Sequence, residues 1–168
     1  NIAIVDLDSG KSFSYKEFNE RATKLANYFR NDLKIKKSDR VAILAKNGNE
    51  YLELYYACNK LGAISVLLNW RLTTSELEFI VNDSEPSLIV YDEEFSEQVD
   101  ELIDLCSIND ELRINRGAAD NPFEAVLAKS SPTPLHASGS PLRLIDVQTI
   151  MYTSGTTGKP KGAMITYN

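Results

Sequence analysis

The chain repeats two patterns of apolar and polar residues. Continuous apolar runs such as Val41–Ala45 are typical of strands buried on both faces of a parallel sheet. The stretches between such runs carry apolar residues three and four positions apart, which is the spacing of one face of an amphipathic helix. The predicted strands are residues 2–5, 11–13, 40–45, 63–68, 87–91 and 146–152, and the predicted helices carry the apolar stripes within 15–33, 51–61, 77–81, 95–106 and 121–128.

Local polar signals place the ends of these helices. Glu17 follows Ser14 at the third position, and Glu76 follows Thr73 in the same way. Both pairs have the form of a capping box, in which each side chain binds the backbone N–H of the other residue. Gly62 stands after the last apolar residue of the second helix, where glycine commonly ends a helix in a left-handed conformation. We therefore expect helices to begin after Ser14 and Thr73, and one to end at Gly62.

Strands and helices alternate in this prediction, with short connections between them. Such an order predicts an α/β fold with a largely parallel sheet, flanking helices and right-handed crossovers. The pattern weakens after Ser107, and the prolines and serines of residues 130–141 predict a loop. Ligands of parallel sheets bind beyond the carboxyl ends of the strands, so we expect the site there.

Length, charge and cysteine content limit the classes of protein that fit. The 168 residues, 43% of them hydrophobic, are enough for one domain with a buried core. A net charge of −6 disfavours a nucleic-acid surface, and no apolar run approaches the ~20 residues of a membrane-spanning helix. Cys58 and Cys106 lie in apolar helical patterns, which is typical of reduced thiols in a cytoplasmic protein. His136 stands in the predicted loop without neighbouring ligands, so we expect it on the surface and expect no protein-bound metal.

The strongest chemical signal lies between Thr153 and Gly162. This stretch contains three glycines, four hydroxyl residues and two lysines. Glycine lets backbone N–H groups converge on an anion, hydroxyls add donors, and lysines add the positive charge that phosphate oxygens attract. A flexible linker has a similar composition, but the apolar runs 150–152 and 163–165 predict a loop between buried elements. The candidate phosphate-binding residues are Thr153, Ser154, Gly155, Thr156, Thr157, Gly158, Lys159, Pro160 and Lys161.

Two common nucleotide motifs do not match this loop. A Walker A motif has Ser or Thr after its Gly-Lys pair, whereas Pro160 follows Gly158 and Lys159, and no G-x-G-x-x-G occurs. The stretch YTSGTTGKPKG, residues 152–162, instead resembles the phosphate-binding loop of the adenylate-forming (AMP-binding) superfamily. That superfamily includes acyl-CoA synthetases, luciferases and the adenylation domains of peptide synthetases.

The resemblance implies a fold, a reaction and a set of co-substrates. The large domain of the family is α/β, and residues 153–161 of this chain would surround the β- and γ-phosphates of ATP. A carboxylic acid would attack the α-phosphorus, pyrophosphate would leave with Mg²⁺, and CoA would then displace AMP. Residues 68–74, LNWRLTT, are similar to the acyl-CoA synthetase (fatty-acid CoA ligase) form, so we expect a ligase of fatty acid metabolism. The alternatives are an adenylation domain of a peptide synthetase and a non-catalytic α/β binding module.

The resemblance also implies that parts of the family's site are missing. Neither its adenine-binding segment nor its C-terminal catalytic lysine is found in residues 1–168. We therefore expect the chain to be the N-terminal portion of an AMP-binding domain, truncated just after the phosphate loop. Such a piece would carry no catalytic residue, would be inactive alone, and would be able to self-associate through its exposed faces.

Overall fold

A six-stranded sheet forms the centre of the computed structural model, which describes residues 1–7, 9–108, 110–116, 118, 120–135, 141–153 and 160–168. The strands are β1 (Ile2–Val5), β2 (Ser12–Ser14), β3 (Arg40–Leu44), β4 (Ile64–Leu67), β5 (Leu88–Asp92), β6 (Asp110–Ile114), β7 (Val147–Thr153) and β8 (Lys161–Thr166). The helices are α1 (Tyr15–Asn31), α2 (Asn49–Leu61), α3 (Thr74–Ser84), α4 (Ser96–Leu105) and α5 (Pro122–Lys129), with a 3₁₀ turn at Glu93–Phe95. His136 lies outside the described residues.

The order of the strands confirms the predicted α/β class. The sheet runs β6-β5-β3-β4-β7-β8, and all neighbours are parallel except the antiparallel pair β7 and β8. Strands β1 and β2 form a separate antiparallel pair. Because β4 lies on one side of β3 and β5 on the other, the chain reverses its direction of winding at β3. Such a reversal is called a topological switch point. Open α/β sheets bind their ligands in the crevice beside it, at the carboxyl ends of the strands.

Two apolar cores cover the two faces of the sheet. Side chains alternate between the faces of a strand, and β3 accordingly sends Val41 and Ile43 to one core and Ala42 and Leu44 to the other. The first core contains helices α1, α2 and α5 through the buried residues Leu25, Phe29, Leu54, Phe123 and Leu127. The second contains α3 and α4 through Leu77, Ile80, Val81, Val99 and Leu102.

The predicted helix ends are confirmed in detail. The Ser14 N–H donates to Glu17 Oε2 at 2.8 Å, and the Glu17 N–H donates back to Ser14 Oγ at 3.2 Å. The Thr73 N–H donates to Glu76 Oε2 at 2.8 Å. Helix α2 ends at Gly62 with φ +70°, a left-handed conformation that costs an L residue roughly 1–2 kcal/mol. Short-range polar pairs therefore determine where these helices start and stop.

Two strands at the edges of the sheet differ from the sequence prediction. Strand β6 falls in the region where we expect no strand, because only Leu112 and Ile114 of its five residues are buried and polar residues alternate with them. Strand β8 reads as apolar, and the sequence predicts that it is buried. In the structure it is the last strand of the sheet, with Met164 69% and Ile165 43% exposed. The candidate loop therefore connects a half-buried strand to an exposed edge strand.

Candidate functional site

The two described ends of the candidate phosphate loop lie side by side. Thr153 ends β7, Lys161 begins β8, and the two residues are register partners in the antiparallel pair. Both side chains are exposed, and Pro160 is half-buried. The other candidate residues, Ser154, Gly155, Thr156, Thr157, Gly158 and Lys159, lie outside the described residues. The structure thus places the first and last candidates, Thr153 and Lys161, at the base of one hairpin.

This hairpin base lies at the edge of the sheet where ligands are expected. Strand β7 runs parallel to β4, so Thr153 stands at the carboxyl edge together with the ends of β3, β4 and β5. None of the ion pairs among the described residues involves Lys161. An exposed ammonium group without a carboxylate partner is available to an anion.

The residue before the loop fixes the hairpin to α3. The Tyr152 hydroxyl donates to Asp83 Oδ2 at 2.6 Å, and the ring packs against the core that contains α3 and α4. Burial, followed by this hydrogen bond to the carboxylate, raises the pKa of Tyr152 above its ordinary value, so the phenol remains protonated near neutral pH. A Cβ on Gly162 would lie 3.1 Å from Tyr152 Cζ and 3.0 Å from Ile150 Cγ2. The sequence alone does not point to Asp83, because nothing local connects this residue to the loop.

The other end of β7 is held by charge. Asp146 precedes the strand, and its carboxylate lies 2.6 Å from Lys37 Nζ and 2.9 Å from Arg143 Nη2. The Lys37 contact, followed by the backbone N–H of Arg143, holds the pKa of Asp146 well below its usual range. The strand that carries Thr153 is therefore anchored at both of its ends.

A cluster of aromatic rings and cations lies at the same edge of the sheet. Trp70 follows β4, Lys46 follows β3, and Phe95 follows β5. The Trp70 and Phe95 rings stack at 6.4 Å, with Lys46 Nζ 5.1 Å and Arg71 Cζ 4.0 Å from the Trp70 centroid. Lys46 also pairs with Glu94 at 2.6 Å. In the sequence, Trp70 and Arg71 stand out only as part of the stretch 68–74 that is similar to acyl-CoA synthetases. Their partners Lys46 and Phe95 come from distant segments, so the sequence does not predict this cluster.

Arg116 supports the segment that carries Lys46. Its guanidinium donates to the carbonyl oxygens of Asn47 at 2.8 Å and Lys46 at 2.9 Å. It also lies 3.2 Å from Asp92 Oδ1 and 3.6 Å from Glu50 Oε2, both nearly buried carboxylates. Burial raises the pKa of Asp92, while the Lys46 N–H and the Arg116 charge act in the opposite direction. Arg116 therefore neutralises buried charge and fixes the turn after β3.

Other kinds of site have little support within the described ranges. No group of three or more His, Cys, Asp or Glu side chains there could hold a metal ion. No helix there is both long and apolar enough to cross a membrane. Cys58 and Cys106 are free and buried, and burial raises the pKa of Cys58 to about 12, so its thiol is unreactive near neutral pH.

The chain is similar in sequence to a known protein family. The family model described as AMP-binding enzyme matches residues 1–168. A feruloyl-CoA synthase of an Amycolatopsis species is 37% identical over 158 residues, which are 94% of this chain and 29% of that protein. A crotonobetaine/carnitine–CoA ligase of Salmonella paratyphi A is 33% identical over 165 residues, which are 94% of this chain and 31% of that protein. The chain therefore spans less than a third of the length of these relatives.

Solved structures agree with this assignment. The inhibitor-bound N-terminal domain of FACL13 from Mycobacterium tuberculosis superposes with a TM-score of 0.85 at 30% identity, covering 99% of this chain and 40% of that chain. ATP-bound MatB from Rhodopseudomonas palustris superposes with a TM-score of 0.81 at 27% identity, covering 99% of this chain and 32% of that chain. The chain belongs to the AMP-binding enzyme family and is of the acyl-CoA ligase type.

Proposed function

We propose that the chain forms the N-terminal part, residues 1–168, of an ATP-dependent acid–CoA ligase in which residues 153–161 hold the phosphates of ATP. The observation that carries this proposal is the pairing of Thr153 with Lys161 at the carboxyl edge of the sheet. The chemistry of the loop and the membership in the AMP-binding family support it independently. ATP enters as a substrate, together with a carboxylic acid and CoA.

The role of these residues is to position and neutralise phosphate. The acid's carboxylate attacks the α-phosphorus, the bond to the bridging oxygen breaks, and pyrophosphate leaves. Lys161 and Lys159 supply positive charge to the leaving group, and Thr153 supplies a hydroxyl donor. Mg²⁺, when bound with the nucleotide, shares this neutralisation. Charges fixed in advance at such a centre are effective because they do not reorganise during the reaction.

The cluster of Trp70, Lys46 and Arg71 is proposed as the surface for the second co-substrate. CoA carries an adenine ring and phosphates, and a half-buried aromatic ring between two cations suits both parts of such a molecule. The CoA ligases among the relatives support CoA as acceptor over a carrier protein of a peptide synthetase. The AMP-binding assignment likewise weakens the alternative of a non-catalytic binding module.

Titration of the 168-residue chain with nucleotides tests the proposed phosphate site. We expect MgATP and magnesium pyrophosphate to shift the NMR amide signals of Thr153, Lys161 and Gly162, and AMP to shift them much less. Lys161→Ala should weaken the effect, whereas Lys36→Ala, an exposed lysine shortly before β3, should not. Equal shifts with AMP, or none with MgATP, would contradict a pyrophosphate-side site. ATP–pyrophosphate exchange by this chain alone should stay at background, since it spans 29–31% of its relatives.

The cellular compartment of the protein is a further part of the proposal. Two buried free thiols, Cys58 and Cys106, fit a reducing compartment, so we place the protein in the cytoplasm.

Met151, Met164 and Ile165 expose apolar surface on β7 and β8, which we propose as a face for self-association. Sedimentation equilibrium should detect concentration-dependent association of the chain. A strict monomer that also binds no hydrophobic dye is the contrary result.

A further inference from the structure

We propose that Asp83, Tyr152 and Gly162 form a clamp that positions both ends of the phosphate loop, an inference that rests on the proposed function. The three residues of this hairpin clamp come from different parts of the chain. Tyr152 precedes Thr153, Gly162 follows Lys161, and Asp83 belongs to α3, outside the hairpin. They are positioning residues, since none of them is proposed to contact ATP.

The Tyr152 side chain connects the three parts of the clamp. Tyr152 and Gly162 are register partners, so the ring stands beside the glycine at the pair next to Thr153 and Lys161. A Cβ at position 162 would approach Tyr152 Cζ to 3.1 Å and its hydroxyl oxygen to 3.3 Å, tighter than ordinary contacts. The absence of a side chain there lets the ring lie across β8 while its hydroxyl reaches Asp83 Oδ2 at 2.6 Å.

Helix α3 is a firm support for this contact. Its apolar face buries Leu77 and Ile80 in the core. Its carboxyl end is tied to the sheet, because Arg40 of β3 donates to the carbonyl oxygens of Ser84 at 2.8 Å and Glu85 at 2.7 Å. Asp83 lies directly before these carbonyls. The clamp therefore connects the hairpin to the central strand of the sheet through one helix end.

The hairpin needs such a connection because β8 has little other support. In the described part of the chain it is the last strand of the sheet and pairs only with β7. Its residues from Lys161 to Ile165 are exposed, so burial does not hold them in place. Tyr167, directly after β8, donates to Asn59 Oδ1 of α2 at 3.4 Å, but this contact lies at the end of the strand opposite Lys161. Without the clamp, the pairing with β7 would therefore be the main support near Lys161. Small displacements matter there, since catalysis depends on the geometry of the groups around the reacting atoms.

Amide hydrogen exchange and nucleotide affinity of Tyr152→Phe test the clamp. The change removes the hydroxyl and keeps the ring. We expect the rate of amide exchange at residues 161–166 to rise about tenfold relative to the rest of the sheet. The Kd for MgATP should rise about three- to tenfold, because the variant loses one charge-assisted hydrogen bond at a partly exposed site. The matched control is Tyr91→Phe, because the Tyr91 hydroxyl also donates to a carboxylate, Glu111 Oε2, at 3.0 Å within the same sheet.

Variants of Asp83 separate positioning from a loss of folding. Asp83 is exposed on α3, so Asp83→Ala should fold while reproducing the Tyr152→Phe effect, and Asp83→Asn, which keeps an acceptor, should restore much of it. Equal exchange in Tyr152→Phe and Tyr91→Phe would overturn the clamp. Faster hairpin exchange with unchanged MgATP affinity would overturn its positioning role. If the wild-type chain binds no MgATP, the proposed function fails, and the hairpin exchange alone decides whether the clamp exists.

Discussion

Arg21→Met should lower the free energy of unfolding by about 3 kcal/mol or more, the usual effect of removing one partner of a buried ion pair. The Arg21 guanidinium joins three helices. It donates to Glu53 of α2 at 2.7 and 3.1 Å and to Glu124 of α5 at 3.0 and 2.6 Å. The Glu53 side chain is 0% exposed, so the variant would leave a fully buried carboxylate without a cation.

The electrostatics of Glu53 explain the size of this effect. Burial raises the pKa of Glu53 above its ordinary value, and the Arg21 hydrogen bonds and charge act in the opposite direction. The same guanidinium holds the pKa of Glu124 below its ordinary value, because Glu124 is more exposed and gains more from the contact than it loses by desolvation. Removing Arg21 therefore leaves the desolvation cost and the repulsion from Glu50 at Glu53, opposed only by the hydrogen bond from Asn49 Nδ2 at 3.1 Å.

Urea unfolding of a small set of variants measures this contribution. Lys24→Met is the matched control, since Lys24 pairs with Glu20 on a partly exposed face of the same helix, and an i,i+4 pair of this kind contributes about 0.3–0.5 kcal/mol. The double variant Arg21→Met/Glu53→Leu should regain most of the lost stability, because it removes the buried charge itself. A midpoint for Arg21→Met close to that of Lys24→Met would show that solvent reaches Glu53 and that the network contributes little.

The parts of the fold that the sequence predicted are those with local causes. The capping boxes at Ser14 and Thr73 and the left-handed end at Gly62 depend on residues within a few positions of each other. The central strands have continuous apolar runs because both faces of the sheet are covered, as β3 shows. Edge strands lack that signal. Strand β6 buries one face only, so its apolar pattern was too weak to predict a strand. Strand β8 has an apolar sequence but buries almost none of it, so the prediction that it is buried was wrong.

In the candidate site, too, the sequence predicts the features with local causes and not those that depend on contacts between distant residues. The loop chemistry and its edge of the sheet follow from a short stretch and from the alternation of elements. The supporting contacts do not, because Asp83 and Tyr152 are 69 residues apart, and Arg116 and Asn47 are equally distant. Only the folded arrangement of the strands brings such residues together. Of the candidate residues, Thr153, Pro160 and Lys161 have described positions, and the assignment of the other six remains a prediction from sequence.

Lys161→Ala should slow adenylate formation about ten- to a hundredfold in the ligase of which this chain is proposed to be the N-terminal part. Charge-assisted hydrogen bonds contribute roughly 1.5–3 kcal/mol, and a factor of ten in rate corresponds to about 1.4 kcal/mol. Lys161 begins an exposed strand, so its truncation removes a charge from the loop without opening the core. Thr156→Ala and Thr157→Ala remove neutral donors and should cause smaller losses of the same kind.

Single-turnover kinetics of the two half-reactions provide the decisive measurement. The transfer of the acyl group to CoA, started from preformed acyl-adenylate, involves no pyrophosphate, so Lys161→Ala should change its rate little. Lys36→Ala, an exposed lysine shortly before β3, serves as the control for loss of charge far from the loop and should leave both rates unchanged. Equal slowing of both half-reactions by Lys161→Ala would assign this lysine to the fold or to the acyl site. A selective loss in the first half-reaction, in contrast, requires that the charge act while the β- and γ-phosphates are present, because these phosphates take part in adenylate formation and are absent from the transfer to CoA.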